Sequence, residues 1–501
     1  MKAAYENLSK FALLTLAKEQ SFIIAKLEIE LAEIKRLVFG VKSERFVPDN
    51  NPMQSELDFG LELLKQPEIR TEQISYDRRV GKKQTPHGRG FFPEHLPRKD
   101  HIIEPDEDVT GLKKIGEEIT RELEYKPPTF YVNRYIRPKY ARPNDEGVII
   151  GILPSRPIEK GAFGPGFLSH ILLSKCIDHL PLYRQCQQYL RHDIKIPAST
   201  LCDAFSGSCR ALEPLFKLHK ELTLNVNYLQ VDETPMKVLD RNLKGKTHLG
   251  QMWAYYDPVN KQAFFDYQEG RSQHGPGKLL QYFQGMLQVD GYGVYPALAK
   301  RLPITLLCCM AHARRYFEKA LNTDREQAQY AMTEIQKLYA IEREAREEKL
   351  TPEARRELRV QRAKPILDAF EKWMKTQLTA PGFRPKSKIS AAIGYTLNHW
   401  PALLNYLEDG RYEIDNNLVE NSIRPIALGR KNYLFAGSHD GARRLAMIYS
   451  FAATAKLNGV EPFAWMKDTL TRISDHPYKN LADLLPQNWR PGSDTELTVK
   501  V

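Results

Sequence analysis

Between residues 228 and 320 the apolar residues come in short runs separated by turns and helical pieces, and their order leaves few folds open. YLQVDE reads as a strand. QMWAYYD and QAFFDYQ flank Pro258, Val259 and Asn260 as the arms of a hairpin. GPGKLLQYFQG reads as a helix, and MLQVD and ITLLCCM as two further strands. The first strand carries Asp232 and the fourth ends at Asp290. Two such strands lie side by side when a helical crossover joins them, so a mixed α/β core is expected here. At 501 residues the chain exceeds one ordinary core, and two to four domains are expected.

Three carboxylates punctuate this region and the chain beyond it: Asp232 in YLQVDETP, Asp290 in MLQVDGYGVY and Glu420 in EIDNNLVENSIRP, the last on a predicted helix. Carboxylates gathered from strand ends and a neighbouring helix make an oxygen-rich, negative pocket of the kind hard divalent cations favour. That is the layout of a two-metal phosphoryl-transfer site. Each also has an ordinary use. Asp232 can cap a turn into Thr234 and Pro235, Asp290 with Gly291 is a turn dipeptide, and Glu420 can pair with Arg424 one helical turn on. Strand, hairpin, helix, strand, helix, strand is the order of an RNase H-like core, in which the charged helical stretch from about 314 to 378 is an insertion that loops out.

Upstream, Ile24, Leu27, Leu31, Ile34 and Val38 recur at spacings of three and four on one helix that ends at Gly40, a coiled-coil seam of about two heptads suited to self-association, or to an amphipathic helix packing on its own chain. From about 50 to 165 the chain is a linker and then a loop-rich module, with eleven prolines between Pro86 and Pro165, the basic patch RRVGKKQTPHGRG and the β-like pieces TFYVNRYIRPKY and GVIIGIL. GFLSHILLSKCIDHLPLYRQCQQYL, a break at HDIKIP, and ASTLCDAFSGSCRALEPLF read as two helices, Ser199 and Thr200 opening the second, as in a helix-turn-helix. The same pattern serves any packed helical pair. A net charge of +11 favours a polyanionic partner. Six cysteines confined to Cys176 through Cys309 do not form a secreted disulfide framework. With no apolar run of membrane-spanning length and no signal peptide in the first twenty residues, the cytoplasm is expected and a membrane partner is not.

YLQVDETPMKVLD, LQVDGYGVYP, CCMAHARRYF and IDNNLVENSIRPIALGRKNYLFAGS, followed by AATAKLNGVEPFAWMKDTL, resemble the transposase of the insertion-sequence sixty-six family of bacterial mobile elements, with DHLPLYRQ and FGVKSER in support. The resemblance runs from the zipper-like helix to about residue 480. It implies a multidomain α/β protein: a leucine-zipper-like coiled coil at 1–45, a linker at 46–105, a degenerate zinc-finger-like module at 106–160, a helix-turn-helix-like DNA-binding region at 161–222, an RNase H-like DDE catalytic domain at 223–480 with a helical insertion about 318–380, and a tail at 481–501. It further implies Asp232, Asp290 and Glu420 as a triad holding magnesium or manganese for DNA cleavage and strand transfer. His312, Arg314 and Arg315 in AHARRYF, with Arg424, Arg430 and Lys431, are expected at DNA phosphates, where packed surface charges are the ordinary alternative. The implied partners are double-stranded DNA (the element's terminal inverted repeats and the target), a second copy of the chain or a higher oligomer, and companion proteins encoded beside it. The chain departs from the family at the zinc module. Ala141 and Asn144 stand about where the second cysteine pair belongs, and His87, His95 and His101 lie outside the pattern, so a structural zinc is not expected. That loss leaves room for a catalytically inert DNA-binding descendant. A glycosidase using two of the carboxylates suits the basic balance poorly.

Overall fold

The structure is a computed structural model that describes residues 130–141, 148–150, 152–240, 246–271, 274–380 and 384–491. The expected coil and linker, and most of the 106–160 module, lie outside those residues. The chain divides into two units, Ser43–Leu153 and the remainder. In the smaller unit the described residues include one antiparallel pair, β1 (Lys139–Ala141) with β2 (Val148–Ile150), in the register Lys139↔Ile150. These strands fall on the two β-like pieces expected from the sequence, β1 running one residue past the first, to Ala141.

The larger unit is built on a five-stranded mixed sheet, β3 (Tyr228–Leu239), β4 (Thr247–Asp257), β5 (Gln262–Gln268), β6 (Gly285–Val289) and β7 (Ile304–Cys308), in the order β5-β4-β3-β6-β7. The first three are antiparallel neighbours, and β6 and β7 add in parallel. The hairpin between β4 and β5 turns where expected, because Asp257 accepts the backbone N–H groups of Val259 and Asn260 at 2.9 and 3.1 Å. β3 runs beyond the expected YLQVDE, through Thr234 and Pro235 to Leu239. Proline is tolerated there because β6 pairs only with Tyr228, Leu229 and Gln230, so no ladder donor is lost on that side. Asp232 therefore lies within a strand and opens no turn.

Ahead of the sheet come α1 (Pro165–Cys176), α2 (Leu182–Leu190) and α3 (Ala198–Leu224). The expected pair of helices is thus three. The first breaks at His179, whose φ of 56° leaves the helical region, just before Pro181. α3 continues past the expected end to 27 residues and passes through Pro214. The expected crossover helix is shortened to α4 (His274–Leu279), and α5 (Val294–Ala299) joins β6 to β7.

After β7 the chain forms α6 (Met310–Ala320), α7 (Arg325–Glu347), α8 (Pro352–Leu358), a π-helical turn at Arg359–Ala363, α9 (Lys364–Thr379), α10 (Lys388–Asn398) and α11 (Trp400–Leu404). The inserted segment is helical, and its apolar residues pack with those of the sheet. Ala328, Ala331, Ile335, Leu338, Leu367, Phe370 and Met374 belong to the same buried cluster as Leu229, Val231, Leu287 and Val289 of the sheet. Burying each of the leucine, isoleucine, valine, phenylalanine and methionine side chains contributes about 1.5–3 kcal/mol, which ties the helices to the strands. Its polar anchor is Arg359, fully buried. Arg359 donates to both carboxylate oxygens of Glu342 at 2.7 and 2.9 Å and to the carbonyls of Tyr406, Asp409 and Tyr412 at 2.7–2.9 Å.

The last helices are α12 (Asn417–Tyr433), α13 (His439–Leu457) and α14 (Pro462–Arg472). α13 closes one edge of the sheet with side chains. Ser450 Oγ and Thr454 Oγ1 accept the outward N–H groups of Phe265 and Ala263 at 2.8 and 3.1 Å. At the opposite edge Asn405 Nδ2 donates to the Leu306 carbonyl at 2.8 Å.

Candidate active site

The chemistry-bearing strands are β3 and β6, and they carry the same tetrapeptide. Leu229 to Asp232 and Leu287 to Asp290 both read Leu-Gln-Val-Asp, with Leu229 opposite Leu287 and Gln230 opposite Gln288. Strand alternation sends each aspartate to the same face as the glutamine two residues before it. Asp232 and Asp290 thus stand level with each other where the parallel pairing ends.

Asp232 is half-buried, and Oδ1 accepts the Glu233 N–H at 2.8 Å. Burial pushes its carboxyl up to about 8, and the charges of Asp290, Glu233 and Glu420 push the same way against the Glu233 hydrogen bond. Asp290 sits in a tight turn. Its Oδ1 accepts the Tyr292 N–H at 2.8 Å, its carbonyl accepts the Tyr395 hydroxyl at 2.7 Å, and Gly291 follows at φ +93°. A Cβ on Gly291 would stand 2.9 Å from Tyr395 Oη and 3.0 Å from His399 Nε2.

Glu420 lies in the first turn of α12, as the sequence predicts for a helix. Its partner is not Arg424 but Arg315 of α6, whose Nη2 donates to Oε2 at 2.8 Å. His312 Nε2 is 3.8 Å from the other oxygen, Oε1, which is buried and has no hydrogen-bond partner. Arg315 Nη1 also lies 3.1 Å from His312 Nε2. Burial, and then the Arg315 charge, hold the His312 imidazole below its ordinary value against the pull of Glu420 and Asp290. The ring is therefore neutral at neutral pH, with Nε2 accepting from the guanidinium.

The other expected basic residues are dispersed. Arg314 is on α6, its charge bearing on Tyr339. Arg430 Nη1 donates to the Pro235 carbonyl of β3. Arg424 and Lys431 are exposed on α12.

The donor set suits a hard cation: three carboxylates, one raised by burial and by the charges of the other two, and one buried carboxylate oxygen without a partner. In this conformation the carboxylates share an electrostatic field without converging. Among the described residues no three His, Cys, Asp or Glu side chains stand close enough to hold an ion together. Arg315 takes up Glu420 instead.

Two neighbouring groups were not anticipated. Glu233 accepts Arg271 through Nε and Nη2 at 3.0 and 2.5 Å and the Tyr295 hydroxyl at 3.3 Å, while Arg271 stacks 4.0 Å over the Tyr292 ring. This braces the turn after Asp290 against β3. The second group is the buried pair Gln230 and Gln288, and its signal was available in the repeated Leu-Gln-Val-Asp.

A family model described as the Transposase IS66 family matches residues 160–444, and one described as the IS66 C-terminal element matches 450–487. A model described as Transposase C of IS166 homeodomain matches 26–100, and a zinc-finger binding domain of transposase IS66 matches 108–141. The 108–141 stretch contains neither cysteine nor histidine. The chain is 33% identical to the uncharacterized protein y4jD of Sinorhizobium fredii over 94% of its own length and 96% of that protein's. It is 34% identical to y4qI of the same organism, over 93% and 89% of the two chains, and 29% identical to y4hP, over 94% and 90%. No described helix is long and apolar enough to cross a membrane.

Proposed function

Because the chain belongs to the IS66 family of transposases, we propose that it is a DDE enzyme that cleaves and joins DNA at the ends of a bacterial insertion sequence, with Asp232, Asp290 and Glu420 as its catalytic carboxylates. The observation that carries this is the placement of Asp232 and Asp290 level with each other on adjacent parallel strands, with Glu420 in the first turn of α12 bearing on the same half-buried Asp232 carboxyl. The sheet order β5-β4-β3-β6-β7, three strands antiparallel and two parallel, supports an RNase H-like core.

The three carboxylates would hold magnesium or manganese. A divalent ion there supplies activation of water or a 3′-hydroxyl and stabilisation of the leaving oxygen during in-line displacement. The protein's own part is positioning and charge. Arg315 keeps Glu420 neutralised until DNA arrives, then turns its guanidinium fork to the phosphate oxygens. His312, held neutral, offers Nε2 as a proton acceptor once Arg315 leaves it. Arg424 and Lys431, exposed on α12, meet the backbone of the duplex. The exposed start of α3, Ser199 and Thr200, lies against a groove, and the coil at 1–45 pairs two copies so that both element ends are held. The 106–160 module works without zinc, and companion proteins of the element assist.

A second reading has its own observation. With Glu420 paired to Arg315 and, among the described residues, no three His, Cys, Asp or Glu side chains converging on an ion, the chain would be a DNA-binding descendant that no longer cuts. Magnesium- or manganese-dependent nicking of a labelled duplex carrying the element end separates the two. The unaltered protein is expected to cut, and Asp232→Asn, Asp290→Asn and Glu420→Gln to bind the duplex without cutting. Equal binding by all four with no cutting, persisting when the element's companion proteins are added, selects the second reading, and cutting that survives one substitution removes that residue from the site.

A further inference from the structure

We infer that Gln230 and Gln288 are positioning residues that set Glu420 against Asp232 and Asp290, an assignment that rests on the site proposed above. Both side chains are fully buried, and they meet across the parallel pair, Gln230 Nε2 donating to Gln288 Oε1 at 2.8 Å. Each also reaches the segment that leads into α12. Gln288 Nε2 donates to the Glu413 carbonyl at 2.8 Å, and Gln230 Nε2 to the Asp415 carbonyl at 3.2 Å. Tyr228 completes the set. Its hydroxyl donates to Gln288 Oε1 at 2.6 Å and accepts the Glu413 N–H at 2.9 Å.

The contact that matters most is at the start of α12. The first N–H groups of a helix have no partner within it, and the N-cap residue, Asn416, provides no side-chain cap. Gln230 Oε1 accepts the Val419 N–H at 3.1 Å from a strand 189 residues away. Glu420 is the next residue. The helix that carries one carboxylate is therefore capped by the strand that carries another, two residues before it. The amide orientations are fixed by their partners, since each Nε2 faces oxygens and Gln230 Oε1 faces an N–H.

Stability accounts for part of this arrangement, because the two amides satisfy the Val419 N–H and the Glu413 and Asp415 carbonyls, which apolar side chains at these positions would leave unpaired. What the amides add is direction, because a satisfied buried network fixes one relative placement of the segments it joins. Here those segments are the three that carry the carboxylates. Outer partners of metal-binding side chains typically change affinity by about 10–100-fold.

The test is Mn2+ binding to the full chain, with free ion counted by electron paramagnetic resonance, on the unaltered protein, Gln230→Met, Gln288→Met, the double variant and Asp232→Asn, alongside thermal melting. Each glutamine variant is expected to raise the Mn2+ dissociation constant at least about tenfold, and the double variant to add little, because both act through one network. Tyr228→Phe deletes one oxygen and keeps the ring, so it reports if a glutamine variant fails to fold. Its expected loss is about threefold, the lower range of one net hydrogen bond. Lowered melting with Mn2+ affinity within twofold of the unaltered protein overturns the inference and leaves the network a fold-stabilising one. If Asp232→Asn also binds Mn2+ as the unaltered protein does, the site reading falls with it. Loss confined to Asp232→Asn overturns this inference alone.

Discussion

Asp232→Asn should make the metal-free protein more stable, and the gain should depend on pH in a defined way. In the folded chain the carboxyl titrates at about 8 against an ordinary value of 3.8. A folded-state value above the unfolded one means that the folded state holds the proton more tightly between the two. Stability therefore falls as pH rises from about 4 to 8, and the penalty is fully present above 8. About four units at 1.36 kcal/mol each set a ceiling near 6 kcal/mol. Reorientation of nearby dipoles and water entry bring the expected value to about 2–3 kcal/mol. Asparagine keeps the shape and can still accept the Glu233 N–H, so it removes the charge and little else. In chelator at pH 8.5 the variant should melt about 4–6 °C above the unaltered protein, given about 2 °C per kcal/mol for a unit this large, and the two curves should meet near pH 4. Saturating Mn2+ should raise the melting point of the unaltered protein only. A pH-independent difference, or a variant less stable at pH 8.5, refutes the crowded-carboxylate account.

Arg359→Met leaves Glu342 buried with Arg355 as its remaining partner and strips a donor from three carbonyls. It should cost about 3–5 kcal/mol by denaturant titration, with Glu342→Leu added to it recovering part of the loss. Gly291→Ala should cost about 1–3 kcal/mol, because φ +93° is strained for alanine and its Cβ meets Tyr395 Oη at 2.9 Å. Nicking should fall with it, since the Tyr395 hydroxyl holds the Asp290 carbonyl. Arg315→Gln removes a cation that holds the His312 imidazole down, so the His312 ring signal should titrate at higher pH by NMR. An unchanged midpoint would put Arg315 elsewhere in solution.

What could be read from the residues, and what could not, divides along local and tertiary lines. The alternation of short apolar runs was enough to predict the strands and the side-by-side placement of those bearing Asp232 and Asp290, because sheet order follows from connection rules. Local signals misled where packing overrode them. Pro235 resembles a strand terminator, yet β3 continues because β6 does not reach it on that side, so no ladder N–H is needed there. Helical spacing offered Glu420 to Arg424, while the fold gives it to Arg315, 105 residues earlier. The charged stretch after Arg325 hid an apolar face. Its alanines and leucines are sparse in the sequence and become core only once the sheet is there to receive them. Arg359 is the extreme case, since nothing local marks a fully buried arginine.

The hydroxyls of Ser450 and Thr454 on the outer rim of β5 bear on how mobile genes decay. An uncovered strand rim is a template on which another chain can lay down a strand, and α13 denies it by occupying the outward N–H groups. A frameshift or early stop before residue 439 would remove that cover and leave β5 bare. Such fragments should stack rim to rim and precipitate, so an interrupted copy of the gene should yield insoluble chains.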